Sequence, residues 1–396
     1  MARNWGWLSG ELADLRQQGL VRNRRVCRPA GHGRIELDGV SLLDFSSNDS
    51  LNLAGDPRVT EAAALATRQF GSGARASALV SGRGPLHAEL EQTLAEFEGT
   101  EAAILFPSGF AANLGLLNAV MSRGDLVCAD RLNHASLIDG CRSSDATFRV
   151  YRHNELDRLA RVLETTPARR KFIVSDGVFS MDGDLAPLSE LCDLAERHDA
   201  AVLVDEAHGT GVYGEHGRGV SELQGVEDRV AARIGTLSKA IGAIGGFVSG
   251  STDLIEWLWN RGRTQVFSTA IPPSACAAAI AALGIIRAEP ARRHTLMQQS
   301  AQLRDDLLTQ GWRLPDAVAG PIIPVIVGSA AAAVAASERL LQAGCFVPAI
   351  RPPTVPQNTA RLRISLSCAH QDAEIHRLVT ALQSLPSELR QNRPAV

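Results

Sequence analysis

Short apolar runs alternate with amphipathic segments through the middle of the chain. Several of these runs are typical of buried strands, because they are short, apolar and show no polar alternation. They are Ala103–Phe106, Leu126–Ala129, Phe172–Ser175, Ala201–Val204 and Val230–Ile234. Between them leucines recur at helical spacing, as at Leu156, Leu159 and Leu163. The alternation predicts an α/β fold with a large, mostly parallel sheet covered by helices on both faces.

The pattern changes on either side of this central region. Near the N-terminus one helix precedes the polar stretch GHGRIELDG, which favours a hairpin. After the central region, a long polar helix followed by alternating strands and helices predicts a small α+β domain. Its predicted elements are Arg292–Gln310, Ile322–Val327, Ala331–Gln342, Arg361–Ser367 and Ala373–Leu385. We therefore predict an N-terminal segment at 1–54, a large domain at 55–286 and a small C-terminal domain at 287–396.

The composition excludes several classes of protein. A chain of 396 residues that is 45% apolar and 21% charged is typical of a globular protein with more than one core. Its net charge of -3 leaves no basic surplus for nucleic acid or an anionic membrane. We expect neither a secretory signal nor a membrane span, because no apolar run reaches about 18 residues. The seven scattered cysteines lack a C-x-x-C pair, which favours a reducing cytoplasm over a disulfide scaffold or a metal site.

Primary amines are rare in this chain. Among its 40 lysine and arginine residues, only Lys171 and Lys239 are lysines, a bias typical of a high-GC genome. Lys171 ends the run Arg169-Arg170-Lys171 before an apolar strand, which predicts a solvated flank. Lys239 lies among glycines and small apolar residues in GTLSKAIGAIGG. Any chemistry that requires a lysine amine is therefore predicted to use Lys239.

Polar sequences follow several predicted strands, at the edge where parallel α/β sheets bind ligands. Asp205 is the most specific, since a carboxylate directly after a buried strand is desolvated and needs a cationic or protonated partner. The N–H of a pyridinium ring is such a partner, and ion pairing would keep pyridoxal 5′-phosphate (PLP) protonated as an electron sink. A metal-binding or helix-capping Asp205 is the alternative. His208 could hydrogen-bond the phenolic oxygen of PLP.

Three other strand ends are consistent with a PLP site. The turn that contains Gly109 could offer helix N-terminal N–H groups to a phosphate, although Ser-Gly turns also occur without a ligand. His134 could lie against an aromatic cofactor, or it could be an ordinary loop residue. Thr236 could reach a phosphate while Lys239 reaches an aldehyde, and GTLSKA does not match a Walker loop. The order phosphate turn, histidine, aspartate, lysine indicates PLP more strongly than any one member.

From about Asp44 onward the sequence resembles the α-oxoamine synthases, a family with the PLP-dependent transferase fold type I of aspartate aminotransferase. Two C-terminal motifs, AIRPPTVP (349–356) and ARLRISLSCAH (360–370), look most like the branch that joins L-alanine to a pimeloyl thioester. Two departures from the family pattern, Ser50 and Ala74-Arg75-Ala76, lie near the expected substrate entrance. The other motifs that carry the resemblance are FSSND (45–49), LVSGRGPLHAELE (79–91), FPSGFAAN (106–113), DRLNHASLIDG (130–140), GVFSMDGDLAPL (177–188), VDEAHGTGVYGEHGRG (204–219), LSKAIGAIGG (237–246) and FSTAIPPS (267–274).

The resemblance implies a role for each of several residues. Lys239 would be the Schiff-base lysine and the base for proton transfer, Asp205 would pair with the pyridine nitrogen, and His134 would stack on the ring. The remaining residues implied to bind the cofactor are Gly109, Phe110, Ser180, His208 and Thr236, with Ser268 and Thr269 reaching the cofactor of the neighbouring subunit in a homodimer with shared active sites. The residues implied to bind substrate are Arg363, for the amino-acid carboxylate, and Arg22, Asn48, His134, Arg351 and Thr354, near the acyl group.

The implied activity is a decarboxylative condensation of L-alanine with pimeloyl-CoA or a pimeloyl-carrier protein. Other members of the family share the core and stay open as alternatives, namely 2-amino-3-ketobutyrate CoA ligase, 5-aminolevulinate synthase and serine palmitoyltransferase. An aminotransferase is a further alternative. A PLP-binding module without turnover is the alternative from another class, and the intact Lys239, Asp205 and His134 count against it.

Overall fold

The computed structural model of the chain describes residues 5–22, 24–315 and 320–391. It divides into two compact units. The larger contains Asn48–Met297, and the smaller combines Met1–Ser47 with Gln298–Val396. The predicted N-terminal segment and C-terminal domain both lie mostly in the smaller unit.

Strands and helices follow one another along both units. The strands of the described ranges are β1 (Cys27–Pro29), β2 (Arg34–Leu37), β3 (Val40–Asp44), β4 (Ala102–Phe106), β5 (Leu126–Asp130), β6 (Thr147–Tyr151), β7 (Lys171–Asp176), β8 (Ala200–Asp205), β9 (Ala232–Thr236), β10 (Gly246–Gly250), β11 (Ile322–Gly328), β12 (Cys345–Phe346), β13 (Ala349–Ile350) and β14 (Ala360–Ser365). The helices of the same ranges are α1 (Trp7–Gln17), α2 (Pro57–Phe70), α3 (Pro85–Glu98), α4 (Gly109–Val120), α5 (Ala135–Ser143), α6 (Leu156–Thr165), α7 (Leu188–Arg197), α8 (Val220–Leu223), α9 (Thr252–Arg261), α10 (Arg263–Val266), α11 (Pro273–Ala288), α12 (Ala291–Thr309), α13 (Ala330–Gln342), α14 (Asp372–Gln383) and α15 (Glu388–Gln391).

The larger unit is built on one sheet with the strand order β4-β10-β9-β8-β7-β5-β6. β10 runs antiparallel to β4 and β9, and the other neighbouring pairs are parallel. Strands β5 and β9 are buried at every residue, as in a sheet that is covered on both faces. These observations confirm the predicted α/β fold with a mostly parallel sheet.

The core of this unit lies between α4 and the sheet. Leu116 and Leu117 of α4 are fully buried and cluster with Phe106 of β4, Val127 of β5 and Ile234 of β9. Truncation of one such leucine to alanine costs about 2–5 kcal/mol, so this contact holds the second half of α4 firmly against the sheet.

The apolar pattern missed two strands of the main sheet for different reasons. β6 is an edge strand with mostly exposed or half-buried residues, so no apolar run marks it. β10 has the sequence GFVSG, whose glycines disfavour a strand by propensity, yet it is embedded between two neighbours. Its burial there outweighs its weak intrinsic preference.

The smaller unit contains two small sheets, with strand orders β1-β2-β3-β12 and β11-β14-β13. β2 and β3 form the hairpin that GHGRIELDG predicted, and its turn residues Asp38 and Gly39 have φ of 52° and 80°. A tight hairpin turn requires positive φ at both of its central residues, and the Asp-Gly pair satisfies this requirement. β14 is buried at every residue and places Arg363 in the interior of this unit.

No single helix in the described ranges has the length and apolar composition needed to cross a membrane. The bent pair of α11 and α12 meets that requirement only when its two helices are counted together.

Candidate active site

The candidate residues of the larger unit follow the carboxyl ends of its strands. β4, β5, β7, β8 and β9 point in one direction, since β10 reverses between β4 and β9. Their last residues, Phe106, Asp130, Asp176, Asp205 and Thr236, therefore lie along one edge of the sheet. This is the edge at which open α/β sheets bind ligands.

Asp205 is held rigidly where β8 ends. Its side chain is 4% exposed. One carboxylate oxygen accepts a hydrogen bond of 2.6 Å from Asn113 Nδ2, and the other accepts one of 2.8 Å from the N–H of Ala207. Asn113 also donates to Ser136 Oγ at 2.8 Å, so α4 and α5 together orient the carboxylate. A buried carboxylate with only neutral donors is suited to a cationic ligand group.

Asp176 is a second buried carboxyl beside Asp205, and the sequence reasoning missed it. The two residues are paired in register across β7 and β8, and Asp176 is 5% exposed. Burial raises the pKa of Asp176 well above its usual value, and the neighbouring Asp205 raises it further. Its side chain accepts the backbone N–H of His134 at 2.6 Å. Asp176 could have been predicted from the sequence SDGVFS, because its carboxyl directly follows a predicted strand.

His134 caps α5 and presents its ring at the same edge. Nδ1 lies 2.7 Å from Ser136 Oγ and accepts the N–H of Ser136 at 3.3 Å. Partial desolvation lowers the pKa of His134, an effect that Asp205 opposes and Lys239 reinforces. Its ring also meets the ring of Phe110 edge-on, with centroids 6.5 Å apart, and both side chains are exposed.

The turn that opens α4 lies against the end of β9. A Cβ at Gly109 would come 3.2 Å from Thr236 Cβ, and a Cβ at Gly246 would come 2.5 Å from the carbonyl carbon of Ser108. Ser108 caps the helix by accepting the N–H of Ala111 at 3.1 Å. The first N–H groups of a helix have no partner within it and attract anions. Glycine is therefore required at position 246, a Cβ at position 109 would crowd Thr236, and the resulting seat fits the phosphate of PLP.

Lys239 lies in a compact turn between β9 and β10. The turn is closed by hydrogen bonds from Thr236 Oγ1 and the N–H of Leu237 to the carbonyl of Gly245, both 3.0 Å. Lys239 is half-buried, and its charge lowers the pKa values of both His134 and Asp176. Its amine thus shares the electrostatic environment of the buried carboxyls. Lys171, by contrast, starts β7 and donates to the carbonyl of Leu163 at 2.8 Å, half-buried where a solvated flank was expected.

The remaining candidates of the larger unit lie in turns. Ser180 follows β7 and His208 follows β8, and both are half-buried. Thr269 forms an isolated bridge with Ser77 and is exposed, whereas the adjacent Ser268 is half-buried. Asn48 is exposed near the start of this unit.

The smaller unit brings Arg22, Arg351 and Thr354 together around a cavity of about 530 Å³. Arg22 Nη2 lies 3.5 Å from Thr354 Oγ1. Arg351 donates to the carbonyl of Val21 at 2.8 Å and to that of Gly19, so it also fastens the segment after α1.

Arg363 is buried separately in β14, where it is 7% exposed and donates to Ser365 Oγ at 3.2 Å. Burial lowers its pKa to about 10. A guanidinium desolvated in this way is suited to bind a carboxylate, because charge pairing recovers the cost of its burial.

Known proteins share both the sequence and the fold. The family model of aminotransferase class I and II matches residues 40–382. An 8-amino-7-oxononanoate synthase of Anaeromyxobacter dehalogenans is 48% identical over 383 residues, which cover 97% of this chain and 96% of that protein. A serine palmitoyltransferase structure from Sphingomonas wittichii matches with a TM-score of 0.92 and 35% identity over 97% of each chain. An 8-amino-7-oxononanoate synthase structure from Francisella tularensis matches with a TM-score of 0.76 and 27% identity, over 86% of this chain and 97% of that chain.

Proposed function

The chain belongs to the aminotransferase class I and II family, and we propose that it catalyses the PLP-dependent condensation of L-alanine with a pimeloyl thioester. The products are 8-amino-7-oxononanoate, CO2 and the free thiol, a step of biotin biosynthesis. The observation that carries this proposal is the buried Asp205, which ends β8, accepts hydrogen bonds from Asn113 and from the N–H of Ala207, and shares an edge of the sheet with Lys239. The 48% identity to an 8-amino-7-oxononanoate synthase supports the choice of reaction within the family.

PLP is the cofactor, as in solved serine palmitoyltransferases that contain it. When bound, it supplies an aldehyde and an electron-withdrawing ring that stabilises negative charge at Cα of the amino acid. Asp205 would hold a proton at the ring nitrogen, and the N–H groups of Gly109 and Phe110 would bind the phosphate with Thr236. His134 would stack on the ring, while Ser180 and His208 would bind its polar substituents.

Proton transfer would fall to Lys239. Its amine would hold the aldehyde of the cofactor before the amino acid arrives, and it would be the base that removes the proton from Cα. Its half-buried position places this amine in the same electrostatic environment as the buried Asp176 and the His134 ring. His134 would then donate a hydrogen bond to the thioester carbonyl, where negative charge develops.

Substrate binding would be divided among the other candidates. Arg363 would pair with the carboxylate of L-alanine, since a buried guanidinium gains most from a carboxylate partner. Asn48, Arg22, Arg351 and Thr354 would contact the acyl substrate, which is pimeloyl-CoA or a pimeloyl-carrier protein.

We further propose a homodimer with shared active sites. Ser268 and Thr269 would reach the phosphate of the cofactor that the partner subunit holds. The bridge between Thr269 and Ser77 lies close in sequence to two strongly exposed apolar side chains, Val80 at 78% and Phe267 at 73%. Exposed apolar side chains of this size favour an interface with another chain.

Serine palmitoyltransferase activity is the second candidate, since that enzyme gives a TM-score of 0.92. The two activities differ in amino acid and acyl group, so a thiol-release assay with pimeloyl-CoA or palmitoyl-CoA, and with L-alanine, glycine or L-serine, separates them. We expect turnover with L-alanine and pimeloyl-CoA, with mass detection of the amino-ketone product. Preference for L-serine and palmitoyl-CoA would favour the second candidate.

The Lys239→Ala variant tests the chemistry itself. We expect it to lose both the visible absorbance of the lysine-bound cofactor and all turnover, because no other amine is available at this edge of the sheet. Lys171→Ala is the matched control and should keep both properties, since Lys171 donates to a helix carbonyl. Normal turnover by the Lys239→Ala variant would contradict the proposed role of Lys239 and the reaction that depends on it.

A further inference from the structure

One histidine and two aspartates form a charged cluster in the larger unit, outside the residues that the proposed mechanism uses. His153, in the loop after β6, has Nδ1 3.1 Å from both carboxylate oxygens of Asp130. Its Nε2 lies 2.7 Å from Asp184 Oδ2. The side chains of Asp130 and Asp184 are 1% and 6% exposed, and that of His153 is 22% exposed. One imidazole therefore joins two buried carboxylates that belong to different loops.

The cluster is an ionic bridge. Burial alone would lower the pKa of His153, but its hydrogen bonds to Asp130 and Asp184 raise it to about 10. The ring is therefore an imidazolium at neutral pH and donates from both nitrogens. Within the described ranges, no group of side chains is arranged to hold a metal ion. His153, Asp130 and Asp184 are therefore interpreted as an ion-paired cluster and not as a metal site.

Asp130 links this bridge to the turn that ends in His134. Besides its contact with His153, its Oδ1 accepts the N–H of Leu132 at 2.8 Å, and its Oδ2 accepts that of Asn154 at 3.0 Å. The carbonyl of Asp130 accepts the N–H of Asn133 at 3.2 Å. The direction of the chain into His134 is thus set by a carboxylate that His153 holds.

Asp184 links the bridge to the turn that contains Ser180. The backbone of this turn is closed by Phe179, whose N–H donates to the carbonyl of Asp184 at 3.0 Å and whose own carbonyl accepts the N–H of Gly183 at 2.8 Å. The Phe179 ring also packs edge-on against the His153 ring, with centroids 4.5 Å apart. His153 therefore contacts the Ser180 turn through both a charge and an aromatic face.

We propose that His153 is a positioning residue, which sets the spacing between the loops that carry His134 and Ser180 through its bridge from Asp130 to Asp184. It acts on the cofactor only through these loops. The inference rests on the proposed function, because His134 and Ser180 have their cofactor-binding roles there. Without the cation, the two carboxylates that now share it repel each other, and the loops can part.

The test is the His153→Gln variant, whose amide can donate to only one of the two carboxylates at a time. We expect PLP to dissociate about tenfold faster and kcat to fall by about tenfold, which is within the roughly 10²-fold that a misplacement of about 1 Å can cost. The KM for L-alanine should stay unchanged, because Arg363 binds its carboxylate. The visible circular dichroism of bound PLP, which reports the orientation of its ring, should weaken.

His216→Gln is the matched control. His216 also pairs with a carboxylate, at 2.6 Å from Glu222, but in an exposed turn before α8. It should leave PLP dissociation, kcat and the dichroism unchanged. A His153→Gln variant that only melts earlier, with normal PLP dissociation and dichroism, would overturn the proposal.

Asp184→Asn keeps the test decisive if His153→Gln does not fold. It removes the negative charge from one limb of the bridge, where an amide oxygen accepts only a weaker hydrogen bond from the imidazolium, and it leaves the ion pair with Asp130. We expect PLP to dissociate faster from this variant than from the wild type, as from His153→Gln. An unchanged dissociation rate would overturn the proposal. PLP dissociation is measured without substrate, so this result is independent of whether the wild-type protein turns over L-alanine.

Discussion

Buried carboxylates occur at both ends of the main sheet, but their partners differ. Asp125, just before β5, is 1% exposed and receives hydrogen bonds from Arg169 at 3.0 Å and Arg170 at 2.7 Å. Burial alone would raise the pKa of Asp125, but these two guanidiniums lower it well below the usual value. At this end of the sheet the chain itself supplies the positive charge.

At the opposite end the carboxyls have no such partner. Within the described ranges no arginine forms an ion pair with Asp176 or Asp205, although arginine is abundant in the chain. Amides, backbone N–H groups and the nearby Lys239 surround them instead. At Asp125 two resident guanidiniums form a structural ion pair, whereas at Asp205 a buried carboxylate with no arginine partner in the described ranges is suited to the cation of a bound cofactor.

Asp205→Asn is expected to have the largest effect on activity. The amide still fits the space and accepts from Asn113, but it cannot hold a proton at the ring nitrogen. We expect kcat to fall by about 10²–10³-fold, as when one preorganised electrostatic partner is removed. Steady-state kinetics at saturating PLP measure this, and the loss of stability in thermal unfolding should be small, since the amide oxygen can still accept from one of the two donors, Asn113 and the N–H of Ala207. Activity close to wild type would contradict the role given to Asp205.

Asp125→Asn should produce the reverse pattern. The loss of charged hydrogen bonds to Arg169 and Arg170 should lower the free energy of unfolding by about 2 kcal/mol. Because the folded pKa of Asp125 is depressed, this stabilisation is present above its unfolded pKa and is lost as the pH falls through the folded value. Urea unfolding at neutral and acidic pH measures the difference, while kcat should stay at the wild-type value. A large fall in kcat would contradict the distinction between a structural ion pair at this end of the main sheet and a cofactor site at the other end.

Asp176→Asn should have the smallest effect. Since burial and Asp205 raise the pKa of Asp176, its protonated form persists to higher pH than that of a solvated aspartate, and an asparagine resembles that form. We expect a change in kcat of less than about threefold. In the wild-type chain a raised folded pKa makes stability decline as the pH rises above the unfolded pKa, so the variant should decline less steeply. Unfolding measured from acidic to neutral pH tests this, and a steeper decline in the variant would show that Asp176 is ionised in the fold.

Most of the fold follows from the apolar pattern, because buried parallel strands need unbroken apolar runs. Strands β5, β7 and β8 lie within a residue or two of their predicted limits. The pattern fails at β6 and β10, where an exposed edge and a glycine-rich strand depend on neighbours that are distant in sequence. Local preference carries no information about such neighbours.

The candidate site is less evenly predictable from sequence. Asp205, His134 and Lys239 stand out because each follows a predicted strand within five residues and has a side chain with specific chemistry. Asp176 also follows a predicted strand, but its place beside Asp205 appears only once β7 and β8 are paired, and the amide of Asn113 matters only once α4 lies against β8. The roles of the site residues stay predictions until the variants are measured.

The reversed strand β10 also dictates when a growing chain can accept its cofactor. β4 pairs in the main sheet only with β10, so the strand leading into the Gly109 turn has no neighbour until residues 246–250 have been synthesised. A nascent polypeptide that has emerged only as far as β8 holds Asp205 but lacks both the lysine and the completed phosphate seat. A site that contains Asp205, Lys239 and the completed phosphate seat therefore requires a chain that has been synthesised through β10.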